Sequence, residues 1–158
     1  MMNYASAKHT PFPLFHQMLS AYYREGEDAE TVQSEIDGFV ELLYNLCQED
    51  KIMGSFAYDH DIPIGFVLYN LDTPNGAFNQ KPGYGTILEI GVSYEFRGRG
   101  YGQWLVNHAR HQLTGVDFYV CAYGPAEYFW EKCGFHDSGE IAENGLKIYV
   151  SAACGFGG

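Results

Sequence analysis

Between Leu14 and Cys47, apolar residues return every three or four positions, the period of a helix with one buried face. Pro11 and Pro13 suit a helix start and Gly26 its end, so "LFHQMLSAYYRE" (14–25) is predicted as a first helix. Asp28 is a fair N-cap for a second, in which Val32, Ile36, Phe39, Val40, Leu43, Leu46 and Cys47 form one apolar stripe. The period then changes to that of strands. "IMGSFAYD" (52–59) and "IGFVLYNL" (64–71) read as two strands around a turn, and "DTPNGAFNQKPG" (72–83) as a loop. "YGTILEIGVS" (84–93) is apolar on both faces, which fits a central strand. A glycine-rich stretch leads into a helix over 101–114, its inner face marked by Trp104, Leu105, His108, Ala109 and Leu113. "VDFYVCA" (116–122) follows as a buried strand, then "PAEYFWEKC" (125–133) as a short helix with Gly134 at C′. Two more short strands flank the turn at Asn144-Gly145. This order predicts an α/β sandwich on a mixed sheet.

Composition narrows the picture. The 158 residues fit one domain, 1–158, large enough for an ordinary core. Apolar runs are far shorter than the ~20 residues of a membrane span. "MMNYASAKHTPFPLF" lacks the basic flank and apolar run of a signal peptide, so a cytoplasmic location away from membranes is expected. Twenty acidic against nine basic residues give a net charge of −11. Such a surface repels phosphate backbones, which disfavours nucleic acid, and it attracts cationic substrates, although solubility alone would explain it. Cys47, Cys121, Cys133 and Cys154 have no close pair and read as single thiols in a reducing compartment. His108 and His111 stand at i,i+3 without an acidic or cysteine partner in register, so no metal is expected.

The chemistry is concentrated in "FRGRGYGQW" (96–104). A strand, a glycine-rich turn and a helix N-terminus make an anion site, because unpaired amides point outward and the helix end carries partial positive charge. Glycine at 98, 100 and 102 exposes those amides, and Arg97 and Arg99 add local charge. A Walker loop would end in Gly-Lys-Ser/Thr, whereas this one continues Gly102-Gln103-Trp104. A dinucleotide fingerprint would be G-x-G-x-x-G near a first strand, and the spacing here is G-x-G-x-G after a hairpin.

Arg97-Gly98-Arg99-Gly100-Tyr101-Gly102 resembles R/Q-x-x-G-x-G/A, the acyl-CoA pyrophosphate loop of the GNAT superfamily of N-acetyltransferases. "ILEIGVSYEFRGRGYGQWLVNHA" looks like that family's strand, loop and helix, and "AEYFWEKCGF" like its later A-x-x-x-Y-x-K-x-G-F segment. The likeness extends over about residues 12–150. It implies an α/β (α+β) fold with a GNAT-like mixed sheet of about six to seven strands, about four helices and a single domain. It implies acetyl-CoA as co-substrate, with Val92 offering backbone groups to the pantetheine arm. The amides of Gly98, Arg99, Gly100, Tyr101, Gly102 and Gln103 would hold the pyrophosphate. It further implies transfer of an acetyl group to a primary amine of a small molecule or a lysine-bearing peptide. A homodimer is compatible with it.

The proton chemistry departs from the family pattern. Relatives with a base on the central strand carry it at positions matching Thr86 and Leu88, and neither side chain is a base. Glu89, one residue away, should face the other side of the strand unless a bulge turns it. Glu95, in the turn before the loop, reads as solvated. The tyrosine that usually serves as general acid corresponds to Trp130, whose indole has no titratable proton. Tyr128 and Tyr123 are the neighbouring candidates. The loop at 73–83 and the segment between the first helices, with Glu25, Glu27, Asp28, Glu30 and Asp72, would wall the acceptor side, together with Tyr22, Tyr23, Tyr69 and Phe78. The alternative function is a non-catalytic acyl-CoA-binding sensor or regulatory module.

Overall fold

The computed structural model describes residues 2–26, 32–76 and 78–153. Among these described residues seven strands and four helices follow in the order β1 (Met2–Ser6), α1 (Phe12–Gly26), α2 (Gln33–Gln48), β2 (Met53–Asp59), β3 (Ile62–Leu71), β4 (Gly85–Val92), α3 (Tyr101–Gln112), β5 (Phe118–Ala122), α4 (Glu127–Lys132), β6 (His136–Ile141) and β7 (Lys147–Ser151). They form one sheet in the order β1-β2-β3-β4-β5-β7-β6, the predicted mixed architecture. Asp28, Glu27, Glu30 and Cys154 lie outside the described residues.

Strand β1 has no counterpart in the hydrophobic pattern. "MNYAS" contains no β-branched residue, and most of its side chains are exposed. It is a strand because β2 offers a free edge, with pairs running from Met2 against Asp59 to Ser6 against Ser55. Helices α1 and α2 cover one face through Phe15, Leu19, Ile36 and Val40, packed on Phe56, Phe66 and Leu68. Helices α3 and α4 cover the other through Leu105, Val106, Ala109 and Trp130, packed on Val67, Phe118 and Val120. The predicted stripe of α2 is narrower than expected. Ile36, Val40, Leu43 and Cys47 are buried, while Val32 and Phe39 face outward. Trp104 likewise leaves the inner face of α3, being 53% exposed. His108 is half-buried, its Nε2 2.9 Å from Ser55 Oγ and its ring stacked on Tyr4.

The feature that positions the site is the parallel pair at the centre. Strands β4 and β5 are in register only at Gly85–Phe118 and Thr86–Tyr119. Beyond Thr86 they part, so the rest of β4 presents an unpaired edge toward β5. A cleft therefore opens at the C-terminal end of β4, where the glycine loop begins.

Candidate functional site

A turn at Tyr94–Phe96 carries the chain from β4 into the loop, and Gly100 is the N-cap of α3. The three glycines serve two different needs. Gly98 and Gly100 adopt φ of 77° and 86°, in the left-handed region, and a Cβ at either would meet nothing within 4 Å. They are required by backbone conformation rather than by space. At Gly102 a Cβ would lie 2.9 Å from Phe129 Cε1, so that glycine allows α3 to approach α4. No side chain caps α3, which leaves its first amides available at the positive end of a three-turn helix.

A cavity of about 390 Å³ lies against these amides. Of the residues assigned to the co-substrate from sequence, Val92, Arg97, Gly98, Gly100, Tyr101, Gly102 and Gln103 line it. Arg99 does not; its guanidinium lies over the Phe96 ring at 5.7 Å. Phe129 and Lys132 of α4, together with Phe96, complete the wall. Both were overlooked as site residues, although Lys132 stands at the lysine of the A-x-x-x-Y-x-K-x-G-F pattern.

A second cavity, of about 250 Å³, opens on the α1 side of the same strand end. Tyr22, Glu25, Phe66, Tyr94 and Glu95 line it, so Glu95 is part of a wall rather than simply solvated. Val92 and Arg97 border both cavities. Arg97 is held at their junction. Its Nε donates to the Val92 carbonyl at 2.9 Å, and its Nη2 lies 2.7 Å from Glu25 Oε2. Glycine at 91 leaves room for Phe66 of β3 and Tyr22 of α1; a Cβ would stand 2.6 Å from Phe66 Cε1 and 3.0 Å from Tyr22 Cδ1.

Glu89 is where the alternation argument fails. Across β3 and β4, Tyr69 pairs with Ile87 and Leu68 with Glu89, which leaves Leu88 as an extra residue. This β-bulge resets the alternation. Ile87, Ile90 and Val92 pack toward α3, whereas Leu88 packs toward α1 and α2. Glu89 joins Leu88 on that side and faces Tyr22 and Tyr23 of α1. Burial raises its pKa above the ordinary carboxylate value, and the two phenols oppose that shift. Both phenols are in turn raised, first by burial and then by the carboxylate. Tyr23 Oη is close enough to act on the charge, yet is buried without a hydrogen bond of ordinary geometry. Glu89 itself lines neither cavity.

Trp130 is only 8% exposed and packs edge-on against Phe129 and Phe135, a core residue at the family's acid position. Tyr128 is 70% exposed, under the Lys132 ammonium, and lines neither cavity. Tyr123 is also exposed. Two residues expected on the acceptor wall have other uses. Tyr69 is buried on the α3 side of the sheet. Asp72 is buried, accepting hydrogen bonds from Tyr119 Oη (2.5 Å) and the Lys81 amide (3.1 Å), and so fastens the 72–84 loop to β5.

Among the described residues no helix is long and apolar enough to cross a membrane. Among them, too, no group of three or more His, Cys, Asp or Glu is placed to hold a metal ion.

A strand splayed beside a glycine loop, with a helix N-terminus facing the opening, is an anion-binding α/β arrangement of the kind the resemblance to the GNAT superfamily implies. The model of the acetyltransferase (GNAT) family matches residues 12–135, and the chain belongs to that family. No curated protein matches the sequence closely enough to count as a relative. Solved structures share the fold. An acetyltransferase from Corynebacterium glutamicum, described as histone acetyltransferase HPA2 and related acetyltransferase, aligns with a TM-score of 0.72 at 16% identity, covering 97% of each chain. A putative GNAT acetyltransferase from Desulfovibrio desulfuricans aligns at 0.71 and 17% identity over 98% of this chain and 100% of its own. PaiA N-acetyltransferase from Thermoplasma acidophilum, solved with coenzyme A, aligns at 0.70 and 13% identity over 96% of this chain and 99% of its own. The chemistry of the family is acyl-CoA-dependent acetyl transfer.

Proposed function

We propose that this protein transfers the acetyl group of acetyl-CoA to a primary amine of a small molecule or a lysine-bearing peptide, in the cytoplasm. The observation that carries the reading is the cleft where β4 leaves β5, ending on the bare amides of the loop and the 390 Å³ cavity. The amides of residues 98–103 take the pyrophosphate, and the free edge of β4 takes the pantetheine arm. The thioester then lies near Val92, where a backbone N–H serves as oxyanion donor. The amine nitrogen attacks the carbonyl carbon, the C–S bond breaks, and the amide and the CoA thiol are formed. The amine must first lose a proton, since an alkyl-ammonium has a pKa near ~10.4. Glu89, half-buried and turned toward α1, is the base we assign, acting through Tyr22, which lines the second cavity. A thiolate with a conjugate-acid pKa near ~8.5 leaves without much help, so an acid at Trp130 is dispensable. Tyr128 is the side chain we assign to protonating it.

Core burial of Trp130 and exposure of Tyr128 favour a second reading, a non-catalytic acyl-CoA sensor. Release of free thiol from acetyl-CoA, followed across polyamines, aminoglycosides, amino acids and lysine peptides, separates the two. Turnover with any amine supports the enzyme. Tight binding of acetyl-CoA by calorimetry without turnover supports the sensor, and no binding at millimolar ligand refutes both.

A further inference from the structure

Arg97 belongs to the loop read as the pyrophosphate site, yet its side chain is engaged elsewhere. The guanidinium points back across the strand end, donating to the Val92 carbonyl and pairing with Glu25 on α1. Both of those partners stand in the second cavity, where Tyr22, Phe66 and Tyr94 supply aromatic surface and Glu95 a further carboxylate. Within an acidic, aromatic-walled pocket, the place of a bound cation is taken by the protein's own arginine.

We propose that Glu25 is the residue that binds the acceptor's ammonium, and that Arg97 occupies it until CoA draws the guanidinium onto the pyrophosphate. This rests on the acyl-CoA reading given above. Three observations support it. Arg97 borders both cavities, so a change of rotamer carries its charge from one to the other. The ion pair is half-exposed on both sides, and such pairs hold weakly, so a pyrophosphate with charge-assisted bidentate geometry outcompetes a single carboxylate oxygen. Withdrawal of the guanidinium also frees the Val92 carbonyl, the strand-end acceptor nearest the loop. Donor binding thereby empties the acceptor pocket of its resident cation and leaves a carboxylate flanked by aromatic rings, a site for an alkyl-ammonium. Donor and acceptor binding are coupled through one side chain, and by linkage each strengthens the other.

The exchange is measurable with CoA alone. Calorimetric titration of CoA into the wild type, Glu25→Gln, Arg97→Gln and the double variant forms a cycle. Glu95→Gln, which removes a charge from the same cavity without touching an Arg97 ion pair, controls for the general field. Releasing an exposed pair is worth up to about fivefold in affinity. The expected result is CoA binding about two- to fivefold tighter in Glu25→Gln, no such gain in the Arg97→Gln background, and a smaller gain in Glu95→Gln. An unchanged affinity in Glu25→Gln, a gain that persists without Arg97, or an equal gain in Glu95→Gln overturns the exchange. Wild-type protein that binds no CoA refutes the acyl-CoA reading itself, which distinguishes the two failures. For the acceptor, saturation-transfer NMR with n-butylammonium should show contact with the wild type that strengthens when CoA is added and is lost in Glu25→Gln. Contact that is indifferent to CoA or to Glu25 removes Glu25 from that role.

Discussion

Replacing Gly100 by alanine tests whether the loop's shape, rather than its sequence, makes the site. Gly100 has φ 86° and ψ 3°, and an added Cβ would touch nothing within 4 Å. The cost is therefore purely conformational, about 1–2 kcal/mol for an L-residue held in the left-handed region. That energy has two possible outlets. If the loop keeps its shape, the whole cost falls on stability, and for a chain of this size the melting temperature drops by about 2–8 °C. If the loop relaxes, stability is spared and the amides turn away from the ligand, so CoA affinity falls by about 5- to 30-fold. Melting and calorimetric titration on the same samples divide the cost between the outlets, and the two losses should sum to about 1–2 kcal/mol. Gly100→Asn should cost less, since asparagine tolerates this conformation better than alanine. A Gly100→Ala protein that melts with the wild type and binds CoA equally well would refute the argument, because the strain would then have nowhere to reside.

Tyr119→Phe and Asp72→Ala each break the buried clamp on the 72–84 loop, and each should destabilise by about 1–3 kcal/mol; urea midpoints of the double variant that equal the sum of the singles would deny the pair its coupling. Trp130→Ala removes a core indole and should cost about 3–5 kcal/mol, while Tyr128→Phe, on the surface, should change stability by less than about 0.5 kcal/mol. Thiol release that survives Tyr128→Phe excludes that phenol as an essential acid. Glu89 binds its proton more tightly in the folded chain than in the unfolded one, so stability should fall as pH rises from the ordinary glutamate pKa through the raised folded value. Glu89→Gln should flatten that slope; urea midpoints at pH 4, 5.5 and 7 that decline equally in both proteins would show that the half-buried carboxylate is not its source.

Much of the fold was legible because it is local. The helical stripe of α2, the two-sided apolar run of β4 and the Gly134 stop after α4 depend on neighbours a few residues away. The loop's identity was legible for the same reason, since three glycines and two arginines in one short span set its backbone freedom and local charge directly. Strand β1 was not legible, because its pairing partner is some fifty residues distant and its own composition is indifferent. The outward turn of Trp104 and Phe39 was hidden likewise, for an aromatic side chain in a helical period does not announce which element it will meet.

The sequence by itself determined that a strand would end in bare amides at a helix start, and hence what kind of ligand could sit there. The separation of β4 from β5 was decided only in three dimensions, because it depends on how far two strands remain in register. So was the direction of Glu89, which one extra residue at Leu88 turned from the expected face to the side of α1. The pairing of Arg97 with Glu25 is of the same kind, joining residues far apart in sequence across the mouths of two cavities. Conformational preference acts within a few bonds and can be read from adjacent letters. Register, bulges and ion pairs between distant elements are set by packing, and packing exists only once the chain is folded.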